Sequence, residues 1–249
     1  MNFLLVNDDG INSEGIFELA KALSEQGTLF LCAPNKQQSG KSHSITLSGS
    51  IQVEETEFEG AAKAWKVDGT PADCTKIGLQ MCEADGVKID IVFSGVNKGS
   101  NLGGDTLYSG TVGAAMEGCL LGYRAIAASV NGHEATHFDT ACHIAIQCIP
   151  KVMEMEPGIV ININTPDLPK EELKGIKYSA LGPSYFVDGF VQKQGTEYVL
   201  EGSIPDYAYL GEDIDAGANA LGFATVTPLK YDFTDFDALK TMRDWGLEL

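Results

Sequence analysis

The chain has 249 residues, 44% of them hydrophobic and 21% charged, with a formal net charge of −18 and a pI of about 4.4. That balance belongs to a globular chain with a sizeable core and excludes a disordered one. A surface this acidic repels nucleic-acid backbone and anionic lipid, so neither duplex nucleic acid nor a membrane is an expected partner. A phosphate-bearing ligand would need a metal ion or a local basic pocket. Six cysteines (Cys32, Cys74, Cys82, Cys119, Cys142 and Cys148) form no CxxC pair and no Cys/His cluster with zinc spacing. Such thiols suit a reducing cytoplasm. The start, MNFLLVNDDG, lacks the basic region of a signal peptide, and no apolar run reaches the ~18 residues of a membrane span. The expectation is a soluble, cytoplasmic protein.

Residues 2–6 (NFLLV) read as a strand that ends in the turn Asn7-Asp8-Asp9-Gly10. Residues 14–23 follow with Ile16, Leu19, Ala20 and Leu23 at helical spacing, and residues 28–33 form the next strand. This order predicts a parallel, doubly wound sheet, whose ligands bind beyond the carboxyl ends of its strands. Asp8 and Asp9 stand at such an end. Adjacent carboxylates repel unless a cation or proton lies between them, and hard oxygen donors suit Mg²⁺ or Mn²⁺. The competing role is a turn or helix cap, which one Asp can fill more easily than two.

Residues 33–44 (APNKQQSGKSHS) contain Gly-Lys-Ser at 40–42, but a P-loop needs glycine at 35, where asparagine stands, and a helix where 44–47 read as extended. Ser39 and Gly40 remain candidate ligand contacts, or a solvated turn. His43 is a base or a polar loop residue. Residues 44–57 alternate and 64–67 continue an extended pattern. Thr70, Pro71 and Asp73 then have the N-cap, first-position and first-turn places of a helix.

Residues 89–93 (IDIVF) are a buried strand by composition. Residues 94–108, with Gly95, Asn97, Gly99, Asn101, Gly103 and Gly104, read as a loop, and 109–122 as a helix capped by Ser109 or Thr111. A glycine-rich loop running into a helix start offers free amides and a favourable dipole to an anion. Asn101, Ser109, Gly110 and Thr111 are therefore candidate phosphate contacts beside Gly40; the alternative is a tight turn of small residues for close packing. Asn97 follows its strand as Asp8 and Asp9 follow theirs. Beyond lie a strand at 124–130, a helix at 136–153 and a strand at 159–163. His133, His137 and His143 are too irregularly spaced for a metal site. Residues 176–202 suggest a hairpin arm outside the sheet, carrying Tyr178, Tyr185, Phe186, Phe190 and Tyr198. Residues 220–229 return to a strand, and 236–245 make a terminal helix.

Five motifs occur in one order: VNDDG at 6–10, APNKQQSGKSHSITL at 33–47, GTPADC at 69–74, SGVNKGSNLGGDTLYSGTVGAAMEG at 94–118 and TVTPL at 225–229. Together they resemble the SurE family, stationary-phase survival proteins that act as metal-dependent nucleoside monophosphate phosphatases. The resemblance implies a single α/β domain over 1–249 with a Rossmann-like, doubly wound, mostly parallel sheet. It adds a projecting β-hairpin arm at about 176–202 and a C-terminal helical segment, about 233–249, exchanged between subunits of a homodimer or homotetramer. It implies 5′-nucleotidase activity, often joined by 3′-nucleotidase and exopolyphosphatase activities. By motif it assigns a divalent cation, Mg²⁺ or Mn²⁺, to Asp8, Asp9, Ser39 and Asn97, with Asp8 or Asp9 able to take the proton from water. Lys41, where many members have a small residue, departs from the pattern. So do residues 211–213, Gly-Glu-Asp for Gly-Thr-Asp, and 178–201, which lack a tryptophan-containing strand. Two other readings fit the residues: an aspartyl-phosphate enzyme, for which a DxD pair is missing, and a nucleotide sensor without turnover.

Overall fold

The computed structural model describes residues 1–132, 134–184 and 186–245. The expectations for His133, for Tyr185 and for residues 246–249 of the terminal segment lie outside these. In chain order the elements are β1 (Asn2–Val6), α1 (Glu14–Ser24), β2 (Thr28–Pro34), β3 (Val53–Thr56), β4 (Ala61–Val67), α2 (Pro71–Ala84), β5 (Ile91–Lys98), α3 (Gly110–Leu120) and β6 (Arg124–Asn131). There follow α4 (Phe138–Glu154), β7 (Val160–Pro166), β8 (Ile176–Tyr178), β9 (Val187–Gln192), β10 (Tyr198–Ser203), α5 (Asp215–Ala220), β11 (Ala224–Leu229) and α6 (Phe236–Met242). Nine strands form one sheet in the order β3-β4-β2-β1-β5-β6-β7-β11-β8, and β9 pairs with β10 as a separate antiparallel hairpin. The main sheet is parallel except where β3 meets β4 and where β11 meets β7.

Alternation along β1 divides the core. Phe3 and Leu5 join Ile16, Leu19 and Leu23 of α1 and Phe138 and Ala141 of α4. Leu4 and Val6 join Cys74 and Leu79 of α2 and Val112 and Ala115 of α3 on the other face. Both faces are covered, which is why the central strands read as unbroken apolar runs. Small residues let α3 sit unusually close to its neighbours. A Cβ on Gly118 would lie 2.9 Å from Val92 Cγ2, one on Gly113 2.5 Å from the Ser42 carbonyl oxygen, and one on Gly110 2.8 Å from Asp8 Cβ. Among the described residues no helix is long and apolar enough to cross a membrane.

Several boundaries differ from the sequence reading. Residues 94–98 are not loop but the continuation of β5, whose register against β6 shifts between Ser94 and Asn97. Gly95 lies in the shifted stretch at φ +130°, and a Cβ there would come within 2.3 Å of the Ala128 carbonyl oxygen. A strand glycine of this kind marks a bulge, which pattern reading takes for a turn. The arm is shorter than expected: Ile176–Tyr178 pairs in parallel with β11 inside the main sheet, and only β9 and β10 project. Residues 44–52 form no strand, and the short α5 had no periodicity to announce it. Ser109, not Thr111, caps α3, its Oγ accepting from the Val112 amide at 3.0 Å.

Candidate metal and phosphate site

The chain passes from β1 outward to β2 on one side and later returns to β5 on the other, so strand order reverses between β1 and β5. A crevice opens at such a switch point, beyond the carboxyl ends of the strands. The NDDG turn leaves β1 there and Asn97 stands near the end of β5. Asn7 shapes the turn: its Nδ2 donates to the Gly10 carbonyl at 2.9 Å and to Ser13 Oγ at 2.8 Å, while its Oδ1 accepts from the Gly10 amide at 3.2 Å. Gly10, at φ +96°, lets the chain turn tightly beneath residues 34–37. Asp8 and Asp9 are thereby presented in succession.

Hydrogen bonds link two of the four candidate ligands, Asp9 and Ser39, and tie Asp9 to the neighbour of a third. Asp9 Oδ2 accepts from the amide of Lys98, the residue after Asn97, at 3.0 Å. Its Oδ1 accepts from Gln37 Nε2 at 3.5 Å, and the same nitrogen donates to Ser39 Oγ at 3.0 Å. Asn97 donates its Nδ2 to the Gly99 carbonyl at 2.6 Å, which leaves its amide oxygen on the other side as the candidate ligand atom. Asp8 is buried, and its Oδ1 accepts from Thr111 Oγ1 at 2.5 Å. The first anion at the start of α3 is thus the Asp8 carboxylate, held where the dipole and free amides favour negative charge. Ser109 and Thr111 act on Asp8 and on the helix cap, and Gly110 admits Asp8 by having no side chain.

Burial pushes the Asp8 carboxyl up to about 6, against the hydrogen bonds from Thr111, and the charge of Asp9 pushes the same way. Burial also raises Asp9, opposed by the Lys98 amide and Gln37. Adjacent acids displaced toward their neutral form gain most from a cation that replaces the proton. Two carboxylates, a hydroxyl and an amide oxygen make an all-oxygen donor set that fits Mg²⁺ or Mn²⁺. Among the described residues no group of three or more His, Cys, Asp or Glu is gathered for a metal, and this set has only two such members.

The loop carrying Ser39 and Gly40 is fastened along its length. The Gln38 amide donates to the Asp8 carbonyl at 2.7 Å. Ser42 Oγ donates to the Leu107 carbonyl at 2.5 Å, and His43 Nε2 lies 2.6 Å from Glu117 Oε2, whose other oxygen takes Lys76 at 2.7 Å. Thr46 gives its amide and hydroxyl to Asp73 at 3.0 and 2.7 Å. Asp73 therefore does more than cap α2. Asn101 has a fastening role too: its amide meets Asn164 Oδ1 at 2.7 Å, its Nδ2 meets Ser129 Oγ at 2.8 Å, and its carbonyl accepts from Asn162 and Asn164. Sequence reasoning missed Gln37, Asn7 and Asp215. Gln37 carried no signal beyond being polar in a candidate loop. Asp215 Oδ2 and Oδ1 accept from the amides of Gly103 and Gly182 at 2.8 and 2.7 Å, tying the glycine-rich loop to the root of the arm.

A family model described as "Survival protein SurE" matches residues 3–188. A 5′-nucleotidase SurE of Clostridium beijerinckii is 38% identical over 249 residues, covering 96% of each chain. A 5′/3′-nucleotidase SurE of Citrobacter koseri is 39% identical over 252 residues, covering 98% of this chain and 96% of the relative. Among solved structures, the SurE protein of Aquifex aeolicus superposes with a TM-score of 0.85 at 34% identity, over 98% of both chains.

Proposed function

The chain belongs to the SurE family, and from that premise we propose that it hydrolyses nucleoside 5′-monophosphates to nucleoside and phosphate with the aid of a divalent cation. The names of the relatives support the reaction class, and the 5′/3′-nucleotidase of Citrobacter koseri supports 3′-nucleotidase action as a second activity. Exopolyphosphatase action stays with the family resemblance. The observation that carries the reading is the hydrogen-bonded run Lys98–Asp9–Gln37–Ser39, which gathers hard oxygen donors at the switch point.

Asp8, Asp9, Ser39 and Asn97 would hold Mg²⁺ or Mn²⁺. Such a cation, when bound, lowers the pKa of water and neutralises charge on the phosphoryl group. Thr111 holds Asp8 in place, and the Lys98 amide and Gln37 orient Asp9. Asp9 is the less buried of the pair and is the better placed to take a proton from water and pass it to solvent. Gly40 and the start of α3 would border the phosphate. An aspartyl-phosphate route and a sensor without turnover are not favoured: Asp8 is fixed by Thr111, and the named relatives are enzymes. All six cysteines are free thiols, in keeping with a reducing cytoplasm.

The test is release of inorganic phosphate from AMP and GMP with Mn²⁺, with Mg²⁺ and after EDTA. Release that needs a divalent ion is expected. Full release in metal-free buffer would remove the metal from the reading, and no release under any condition would remove the enzyme.

A further inference from the structure

The arm is rooted beside the site, and its root encloses a cavity. Phe186 precedes β9 and Ile204 follows β10; both line a pocket of about 180 Å³ together with Gly99, Ser100, Asp105 and Asn131. Gly99 stands two residues beyond Asn97, so at most about 7 Å of chain separates this pocket from a candidate metal ligand. The Gly99 amide is fixed to the Val130 carbonyl at 2.9 Å. Gly99 at φ +117° and Gly132 at φ +125° hold conformations that L side chains rarely adopt, which keeps backbone rather than side chain in the pocket wall.

The Phe186 backbone is anchored. Its amide donates to Asp105 Oδ2 at 2.8 Å, and two residues earlier the Ser184 carbonyl accepts from Tyr207 Oη at 2.7 Å. The volume is below the roughly 300–1,000 Å³ of pockets that hold a whole drug-sized ligand, so it suits one ring system and not an entire nucleotide. Among the described residues the lining has an aromatic residue, an aliphatic one, an amide-bearing one and a carboxylate-bearing one, and no lysine or arginine. A phosphate would be repelled there. A flat, uncharged heterocycle with polar edges fits both the ring and the rim.

We propose that this pocket receives the base of the nucleoside monophosphate, with Phe186 as the stacking face. The proposal rests on the nucleotidase reading above. Two walls come from the ends of the arm and the rest from the end of β6 and loops beside the proposed metal site, so base recognition is tied to how the arm is set.

The test compares AMP with ribose 5-phosphate, which keeps the phosphomonoester and lacks the base, using steady-state kinetics in Mn²⁺ on the full chain. Phe186→Ala is expected to raise KM for AMP roughly 10- to 100-fold, the loss of one stacked base. Its kcat for AMP and its kinetics with ribose 5-phosphate should stay as in the wild type, and Phe186→Trp should restore KM for AMP. An unchanged KM for AMP in Phe186→Ala beside an active wild type would overturn the pocket alone. An equal rise for both substrates would overturn it as well, since that marks damage to the site at large. A wild type that releases phosphate from neither substrate, or only from ribose 5-phosphate, would overturn the nucleotidase reading and this proposal with it.

Discussion

Asp9 and Gln37 touch, yet their removal should cost different things. On the proposed reading Asp9→Asn removes a charge that would both bind the cation and accept a proton, so kcat should fall by about 10²–10⁴, the usual worth of a positioned base. Gln37→Ala leaves every proposed ligand in place and removes what orients two of them, Asp9 and Ser39. Partners behind metal ligands typically contribute about 10–100-fold in metal affinity. Gln37→Ala, and Thr111→Val behind Asp8, should therefore raise the Mn²⁺ dissociation constant by that order while kcat at saturating Mn²⁺ stays close to wild type. Calorimetric Mn²⁺ titration beside kinetics separates the cases. An unaltered affinity in both variants would show that the ligands need no such support. At this scale the sequence was legible only where types are chemically rare: two adjacent aspartates after a strand announce themselves, whereas a glutamine in a polar loop does not. Thr111 was visible, but as a phosphate contact; that its hydroxyl meets Asp8 depends on the close approach of α3, which no local pattern encodes.

The same close approach governs the elements. Glycine within a helix is ordinarily unfavourable, and Gly→Ala at an exposed helical site gains roughly 0.5–1 kcal/mol. Gly113→Ala in α3 should do the reverse, because its Cβ would come within 2.5 Å of the Ser42 carbonyl oxygen, which belongs to the loop that carries Ser39. Lower thermal stability and weaker Mn²⁺ binding together are the expected outcome; a stabilised variant with normal Mn²⁺ affinity would show that the loop shifts freely. The start of α2 is the second fastening. Burial pushes the Asp73 carboxyl up, but the amide and hydroxyl of Thr46 and the amide of Thr70 outweigh it and hold the group below its ordinary 3.8. A depressed carboxyl contributes stability that is complete above pH ~4 and is lost as pH falls through its folded value. Asp73→Asn should lower stability near pH 7 by about 1–2 kcal/mol through the lost cap and charged hydrogen bonds, and should show less acid dependence below pH 4. Urea denaturation at pH 3 and pH 7 checks both, and parallel curves for the two proteins would count against the assignment. The GTPAD motif was legible as a helix start, since Thr, Pro and Asp have local meaning. Its hold on Thr46 was not, because 27 residues separate the partners. The central strands and long helices were legible from apolar period alone; β5 beyond Phe93 was lost to its glycines, and β8 was assigned to the arm because its parallel partner, β11, comes nearly fifty residues later.

At the scale of the whole molecule two parts remain uncovered by the rest of the chain. Every residue of β9 and β10 is exposed, with Phe190 at 72%, and a two-stranded hairpin is marginal in water without a surface to pack on. Every residue of α6 is exposed too, and Phe233, Phe236 and Trp245 stand at 80%, 60% and 57%. The arm does not fold back on its own core. Between α3 and residues 228–233 lies an apolar cavity of about 590 Å³, lined in part by Val112, Met116, Leu120 and Phe233. Exposed apolar surface of this extent marks an interaction site. The terminal segment of a second copy would supply aromatic and aliphatic side chains of matching character, in keeping with the exchange implied by the family resemblance. We therefore propose a homodimer or a homotetramer held partly by residues 233–249. Deleting residues 235–249 removes α6 and leaves the proposed ligands Asp8, Asp9, Ser39 and Asn97 untouched. The truncated protein should move toward monomer or aggregate and melt at a lower temperature. Size exclusion with light scattering decides it: a compact monomer of the full chain at micromolar concentration would refute the assembly while leaving the metal site standing, because no residue proposed for that site lies in the deleted segment.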